Sequence, residues 1–99
     1  MSDIEIVDAP EQSRYEARDT DGTLMGFAEY RRSPGRIAFV HTVTEPEFRG
    51  RGVAGTLAST TLDQARAEGL RVRTICPFYA SYVSEHPEYA DIVDGPESD

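Results

Sequence analysis

The chain predicts an α/β (α+β) fold: a mixed sheet with an antiparallel N-terminal meander, a single β-loop-α-β unit and a short C-terminal helix. Three observations predict it. The turn signals Asp21-Gly22 and Ser33-Pro34-Gly35 separate alternating or β-branched segments. An apolar stripe at helical spacing follows: Ala54, Leu57, Ala58, Thr61, Leu62 and Ala65. A further alternating run, Leu70 to Ile75, comes directly after Gly69.

Taken in order, Ile4 to Val7 alternates weakly before Pro10 interrupts it, which predicts an edge strand or a tail. Arg14 to Arg18, Thr23 to Tyr30 and Arg36 to Thr44 are then antiparallel strands, the last ending at Glu45-Pro46. The helix runs from Val53 to Gly69, with the glycine as C-cap. Leu70 to Ile75 should lie parallel to Arg36–Thr44, because a crossover through a helix returns right-handed. Pro77 suits the first position of a short helix, Phe78 to Glu85. Phe78 and Tyr82 are expected to face inward, with Val83 and Tyr79 as further candidates. His86-Pro87-Glu88-Tyr89 ends that helix, Ala90 to Val93 is a last short strand, and residues 94–99 form an acidic tail.

At 99 residues the chain has room for one domain, 1–99, with a core of about 11–93. Ten arginines, no lysine and 18 acidic residues give a net charge of −8. Between Arg49 and Arg73 five arginines meet only Asp63 and Glu68, so +3 sits there and −11 on the remainder. An anionic ligand is drawn to that one region, and the acidic remainder favours a cationic amine by long-range steering. Nucleic acid is not expected as a partner, since neutralising phosphates needs basic surface. A lone Cys76 excludes an internal disulfide, and no apolar run suggests a leader or membrane span, so a cytoplasmic protein without a membrane partner is the expectation. Monomer and dimer both remain open. No metal site is expected: Cys/His spacing gives no zinc set, and Asp19-Thr20-Asp21-Gly22 lacks the glutamate of a calcium loop.

Glu47 to Gly55 is the stretch richest in chemistry. Gly50 and Gly52 let the backbone approach an anion at a helix start, where amides are unpaired. Arg49 and Arg51 can add charge-assisted hydrogen bonds of about 1.5 to 3 kcal/mol each. The plainer alternative is a glycine-rich helix start flanked by solvated arginines.

Three antiparallel strands, a strand ending in an Arg/Gln-x-x-Gly-x-Gly/Ala turn, a helix, a strand and a short helix together resemble the GNAT superfamily of acyltransferases. The turn here reads Arg49-Gly50-Arg51-Gly52-Val53-Ala54. His41-Thr42-Val43-Thr44, Phe48 to Ala54, Cys76-Pro77-Phe78 and His86 to Tyr89 resemble, more closely, the very small single-domain subgroup of GNAT-like N-acetyltransferase domain proteins, over roughly Glu11 to Val93. The resemblance implies an N-acetyltransferase that moves an acetyl group from acetyl-CoA to an amine of a small molecule or a protein. It also implies a binding site for CoA: pyrophosphate on the amides of Gly50, Arg51, Gly52, Val53, Ala54 and Gly55 beside Arg49, and pantetheine along Val40 to Thr44, Val43 included. Between Tyr15 and Tyr30 there is room only for a hairpin where the superfamily usually builds its acceptor pocket, so the acceptor site is open or completed by a partner. A reading from another class is a CoA- or acyl-CoA-binding module with little turnover that acts through a protein partner.

Within that frame the candidate catalytic residues are Cys76, His41 and Tyr79. Cys76 ends a strand at the crevice where such sheets bind ligands. Arg71, Arg73 and the following helix N-terminus would lower its thiol pKa, which suits a nucleophile or an acid, while an inert buried cysteine is the alternative. Alternation sets His41 on the face of Phe39 and Val43, opposite Val40 and Thr42, as a base or as a structural histidine. Tyr79 and Tyr82 either reach a thiolate or fill the core, and His86 and Tyr89 hold the C-terminal turn.

Overall fold

The computed structural model describes residues 4–94. Five strands form one sheet in chain order: β1 (Glu5–Ala9), β2 (Arg14–Arg18), β3 (Leu24–Ser33), β4 (Arg36–Thr44) and β5 (Arg71–Thr74). The first four are antiparallel, so the meander is one strand longer than the clear sequence signals, with Glu5–Ala9 as its edge. Helix α1 (Val53–Ala67) crosses over to β5, which pairs parallel with β4, and α2 (Pro77–Glu85) follows. Asp19 sets the β2–β3 hairpin by accepting the Asp21 and Thr23 N–H groups on Oδ1, each at 2.9 Å.

Both helices lie on the same face of the sheet. Helix α1 buries Val53, Leu57, Ala58, Thr61, Leu62 and Ala65, so its stripe begins at Val53 rather than Ala54. In α2 the inward residue is Tyr79, fully buried, whereas Phe78 is 36% exposed, which reverses the expected emphasis. The Tyr79 ring stacks on Phe39 of β4 at 4.3 Å between centroids, and its hydroxyl meets Thr61 Oγ1 of α1 at 2.8 Å. One side chain thus joins sheet, α1 and α2. Beyond α2, residues 90–93 supply only a single bridge, Val93 to Val72, because Pro87–Tyr89 forms a tight 3-10 turn instead of leading into a strand. Asp94, the first residue of the expected tail, ion-pairs with Arg71 and Arg36; residues 95–99 lie outside the described residues.

No helix among the described residues covers the other face of the sheet. It protects itself with charge. Glu16 is only 5% exposed, with Oε2 accepting from Arg14 at 2.9 Å and Oε1 from Arg18 at 2.7 Å. Burial opposes its charge, but the Arg18 and Arg14 hydrogen bonds outweigh burial and hold the carboxyl below the usual range. The Arg14 guanidinium also lies over the Phe27 ring at 4.4 Å, shielding apolar surface with a cation.

One irregularity matters for the site. Across β3 and β4, Glu29 pairs with His41 but Tyr30 pairs with Phe39, so Val40 is an extra residue, a β-bulge. The bulge reverses the alternation beyond it. Thr42, partner of buried Ala28, joins Phe39 on the helix face, and His41, partner of Glu29, turns to the open face. The expectation that His41 shares a face with Phe39 is therefore corrected.

Candidate active site where two strands part

The β4–β5 ladder ends at Phe39 and Thr74, with one more bond from the Cys76 N–H to the Phe39 carbonyl at 2.8 Å. Beyond the bulge, residues 41–44 pair with β3 only. Their other edge offers backbone donors and acceptors to an extended ligand.

At the apex of this gap sits Cys76, 3% exposed and N-cap of α2, with its Sγ 3.2 Å from Thr42 Oγ1. Neither expected arginine reaches it. Arg71 is bound to Asp94 at 3.0 Å and to the Asp91 carbonyl at 2.7 Å, and Arg73 shares the open face with its register partner Ala38. Nor does His41: it is exposed on the face opposite Thr42 and has no hydrogen bond to Cys76. The structure brings Thr42 to the thiol and Glu29 beside His41, two residues that the sequence reading did not single out. A bulge shifts a strand's faces without altering its residue pattern, so neither could be found by alternation.

Tyr79 is in the core, where burial pushes its phenol well above the usual range even though Thr61 pulls the other way. Tyr82 is half-buried and stacks on His86 at 3.9 Å between ring centroids, while His86 Nδ1 lies 2.8 Å from the Tyr82 carbonyl. The Tyr89 hydroxyl donates to Asp63 Oδ1 at 2.9 Å; burial first, then that bond, pushes its pKa up to about 12. His86 and Tyr89 tie the C-terminal turn to α2 and α1.

The glycine-arginine loop leads from the 3-10 turn Pro46–Phe48 to α1. Gly52 is the N-cap at φ 77°, has no capping side chain, and its carbonyl accepts the Thr56 N–H at 2.9 Å. Among the described residues no group accepts from the amides of residues 50–55. A Cβ on Gly50, Gly52 or Gly55 would meet nothing within 4 Å, so internal packing does not demand glycine at any of them. Gly50 and Gly52 need it for their left-handed backbone, at φ 80° and 77°. Gly55 is helical and needs it for neither reason, and it leaves open space at the first turn of α1.

Of the arginines between residues 49 and 73, Arg66 is paired with Asp91 and Arg71 with Asp94. Among the described residues Arg49 and Arg51 have no acidic partner; Arg51 lies 5.4 Å from the Phe48 ring centroid. The loop therefore joins free cations, free amides and uncluttered space, a fit for a pyrophosphate-bearing ligand. Among the described residues no cluster of His, Cys, Asp or Glu could hold a metal ion, and no helix is long and apolar enough to cross a membrane.

Comparison with known proteins places this geometry. A GCN5-like protein from Staphylococcus aureus solved by NMR superposes with a TM-score of 0.72 at 24% identity, over 99% of this chain and 95% of that one. Ribosomal-protein-alanine N-acetyltransferase from Brucella melitensis aligns with a TM-score of 0.53 at 20% identity, over 90% of this chain and 69% of that one. Ard1 from Thermoplasma volcanium gives 0.56 at 18% identity, over 80% and 55%. At these identities the likenesses establish the fold. No curated protein sequence matches the chain. The family model for GCN5-related N-acetyl-transferases matches residues 14–92, and with strands, loop and crossover helix all inside that span, the chain belongs to the GCN5-related N-acetyltransferase family.

Proposed function

We propose that the chain is an acetyl-CoA-dependent N-acetyltransferase, with the donor held across the α1 N-terminus and along β4. The observation that carries this reading is the row of unbonded amides at residues 50–55, flanked by Arg49 and Arg51 without acidic partners. In this reading Gly50, Arg51, Gly52, Val53, Ala54 and Gly55 hold the pyrophosphate with Arg49, and Val43 and its neighbours pair with the pantetheine arm. Acetyl-CoA, when bound, supplies the activated acetyl thioester. The protein contributes chiefly by orientation, which can supply roughly 7 to 11 kcal/mol.

His41 accepts the amine proton on the open face of β4, while the Cys76 Sγ–H, oriented by Thr42 Oγ1, is the proton donor to the departing thiolate on the helix face. Separating the two by the strand keeps them from exchanging a proton with each other. Direct transfer is favoured over an acetylated Cys76, because among the described residues the only side chain within hydrogen-bond distance of the thiol is a hydroxyl and not a base. Tyr79 serves the fold here. The acceptor is an amine of a small molecule or protein, approaching the uncovered face.

Calorimetric titration of the purified protein tests the reading. CoA and acetyl-CoA should bind, and Arg49→Ala should weaken both about tenfold or more. No binding at millimolar acetyl-CoA would overturn it, and binding without turnover of any amine would favour the CoA-binding module instead.

A further inference from the structure

On the open face, beside the bulge, lies a hollow of about 440 Å³ lined by Gln12, Ser13, Glu29, Arg31 and Val40, with Tyr30 and Arg32 behind them. The two rear side chains are committed elsewhere: the Tyr30 hydroxyl donates to Asp8 at 2.6 Å, and Arg32 binds Glu68 and the Tyr15 hydroxyl. Glu29 and Arg31 are not. Among the described residues neither side chain has a hydrogen bond or ion pair, with the other or with any further residue. Their spacing does not forbid one. On β2 the same two-residue spacing closes Arg14–Glu16 at 2.8 Å and Arg18–Glu16 at 2.7 Å. On β3 an anion and a cation stand side by side on one face, about 7 Å apart along the strand, and stay open. Ser13 at the rim closes the 3-10 turn Pro10–Gln12 with a left-handed backbone, φ 55°, its N–H donating to the Pro10 carbonyl at 3.1 Å. Val40 links the hollow to the point where β4 and β5 part, and His41 is Glu29's cross-strand neighbour.

From these positions we infer that the hollow is the acceptor site and that it selects a small amino-acid-type zwitterion, its ammonium on Glu29 and its carboxylate on Arg31. The inference rests on the acetyltransferase reading for what happens next, but not for the binding itself. A simple amine would satisfy Glu29 and leave Arg31 unmet; a diamine would place a second cation against a guanidinium. The zwitterion answers both charges and presents its nitrogen next to His41.

The test is a backbone-amide NMR titration of the full chain with 4-aminobutyrate, butylamine, butyrate and 1,4-diaminobutane. The zwitterion should shift the amides of Glu29, Arg31 and Val40 and bind at least about tenfold tighter than butylamine or butyrate. Arg31→Glu should weaken 4-aminobutyrate at least about tenfold and make 1,4-diaminobutane the better ligand; Arg31→Gln, should the charge reversal disturb folding, should abolish the preference over butylamine. No shift at these amides with any probe, equal binding of zwitterion and butylamine, or a preference that Arg31→Glu leaves unmoved would each overturn the inference. A CoA titration of the same sample reads residues 50–55. Shifts there with a silent hollow defeat only the acceptor assignment, whereas a silent loop defeats the acetyltransferase reading.

Discussion

The Thr42 hydroxyl lies 3.2 Å from the Cys76 thiol, and it does so because the extra residue Val40 turns Thr42 onto the helix face. The pair spans the point at which two parallel neighbours cease to bond, and in the proposed reaction it orients the proton donor to the leaving thiolate. Thr42→Val keeps the volume and removes the partner. It should change stability by less than about 1 kcal/mol and lower kcat about tenfold. Cys76→Ala should lower kcat by about a hundredfold, and intact-mass spectrometry of wild type with acetyl-CoA should find no acetyl adduct on Cys76. An adduct that a nucleophilic amine discharges would reverse this assignment.

Gly55 separates binding from folding. It sits in the first turn of α1 with open space where a Cβ would project. Gly55→Ala should stabilise the fold by about 0.5 to 1 kcal/mol, since alanine is the better helix former. The same methyl should weaken CoA about tenfold. Thermal melting and calorimetry on one variant check both, and unchanged affinity would exclude close approach of the ligand at this residue.

Tyr79→Phe asks whether the buried phenol acts in the reaction. Thr61 Oγ1 keeps its bond to the Leu57 carbonyl at 2.7 Å, so the loss is one hydroxyl pair, about 1 kcal/mol by chemical denaturation. Turnover should stay within about twofold. A drop of a hundredfold would return Tyr79 to the proton path.

Glu16, Glu68 and Asp91 titrate below their ordinary range: for Glu16 arginine bonds overcome burial, for Glu68 bonds from Gln64 and Arg32 dominate, and for Asp91 the Arg66 bond does. Depressed folded-state values stabilise the fold above the ordinary carboxylate range and cease to do so as pH falls through the lower folded-state values. The melting temperature followed by circular dichroism should therefore hold from neutrality to about pH 5 and fall steadily below about pH 4, with a shallower slope in Glu16→Gln. Tyr15, raised to about 12 chiefly by burial, works in the opposite sense. Its contribution is complete below pH 10, the ordinary tyrosine value, and is lost as pH rises toward its folded-state value.

Local signals made much of the fold legible. Turn residues gave the hairpins, a stripe of small and branched residues gave α1, and Pro77 marked the start of α2. The backbone of the loop was legible too, because Gly50 and Gly52 stand at left-handed positions just before the helix. What stayed hidden depended on how distant residues meet. The Val40 bulge leaves no mark in an apolar strand, yet it decides which of His41 and Thr42 faces Cys76. Arg71 looked like an activator of the thiol until Asp94 claimed it, and Glu29 looked like one more acidic residue until every neighbouring arginine proved occupied elsewhere or, like Arg31, unbonded.

Strand β3 carries two interleaved sets of residues: Ala28 and Tyr30 toward the helices, Glu29 and Arg31 away from them. Among the described residues no helix packs on the outer set, and those positions can be exchanged at a typical cost within about 0.5 kcal/mol, as for surface residues generally. A chain this short can thus acquire a new preference through point changes on one side of a single strand, leaving the loop and the core as they are.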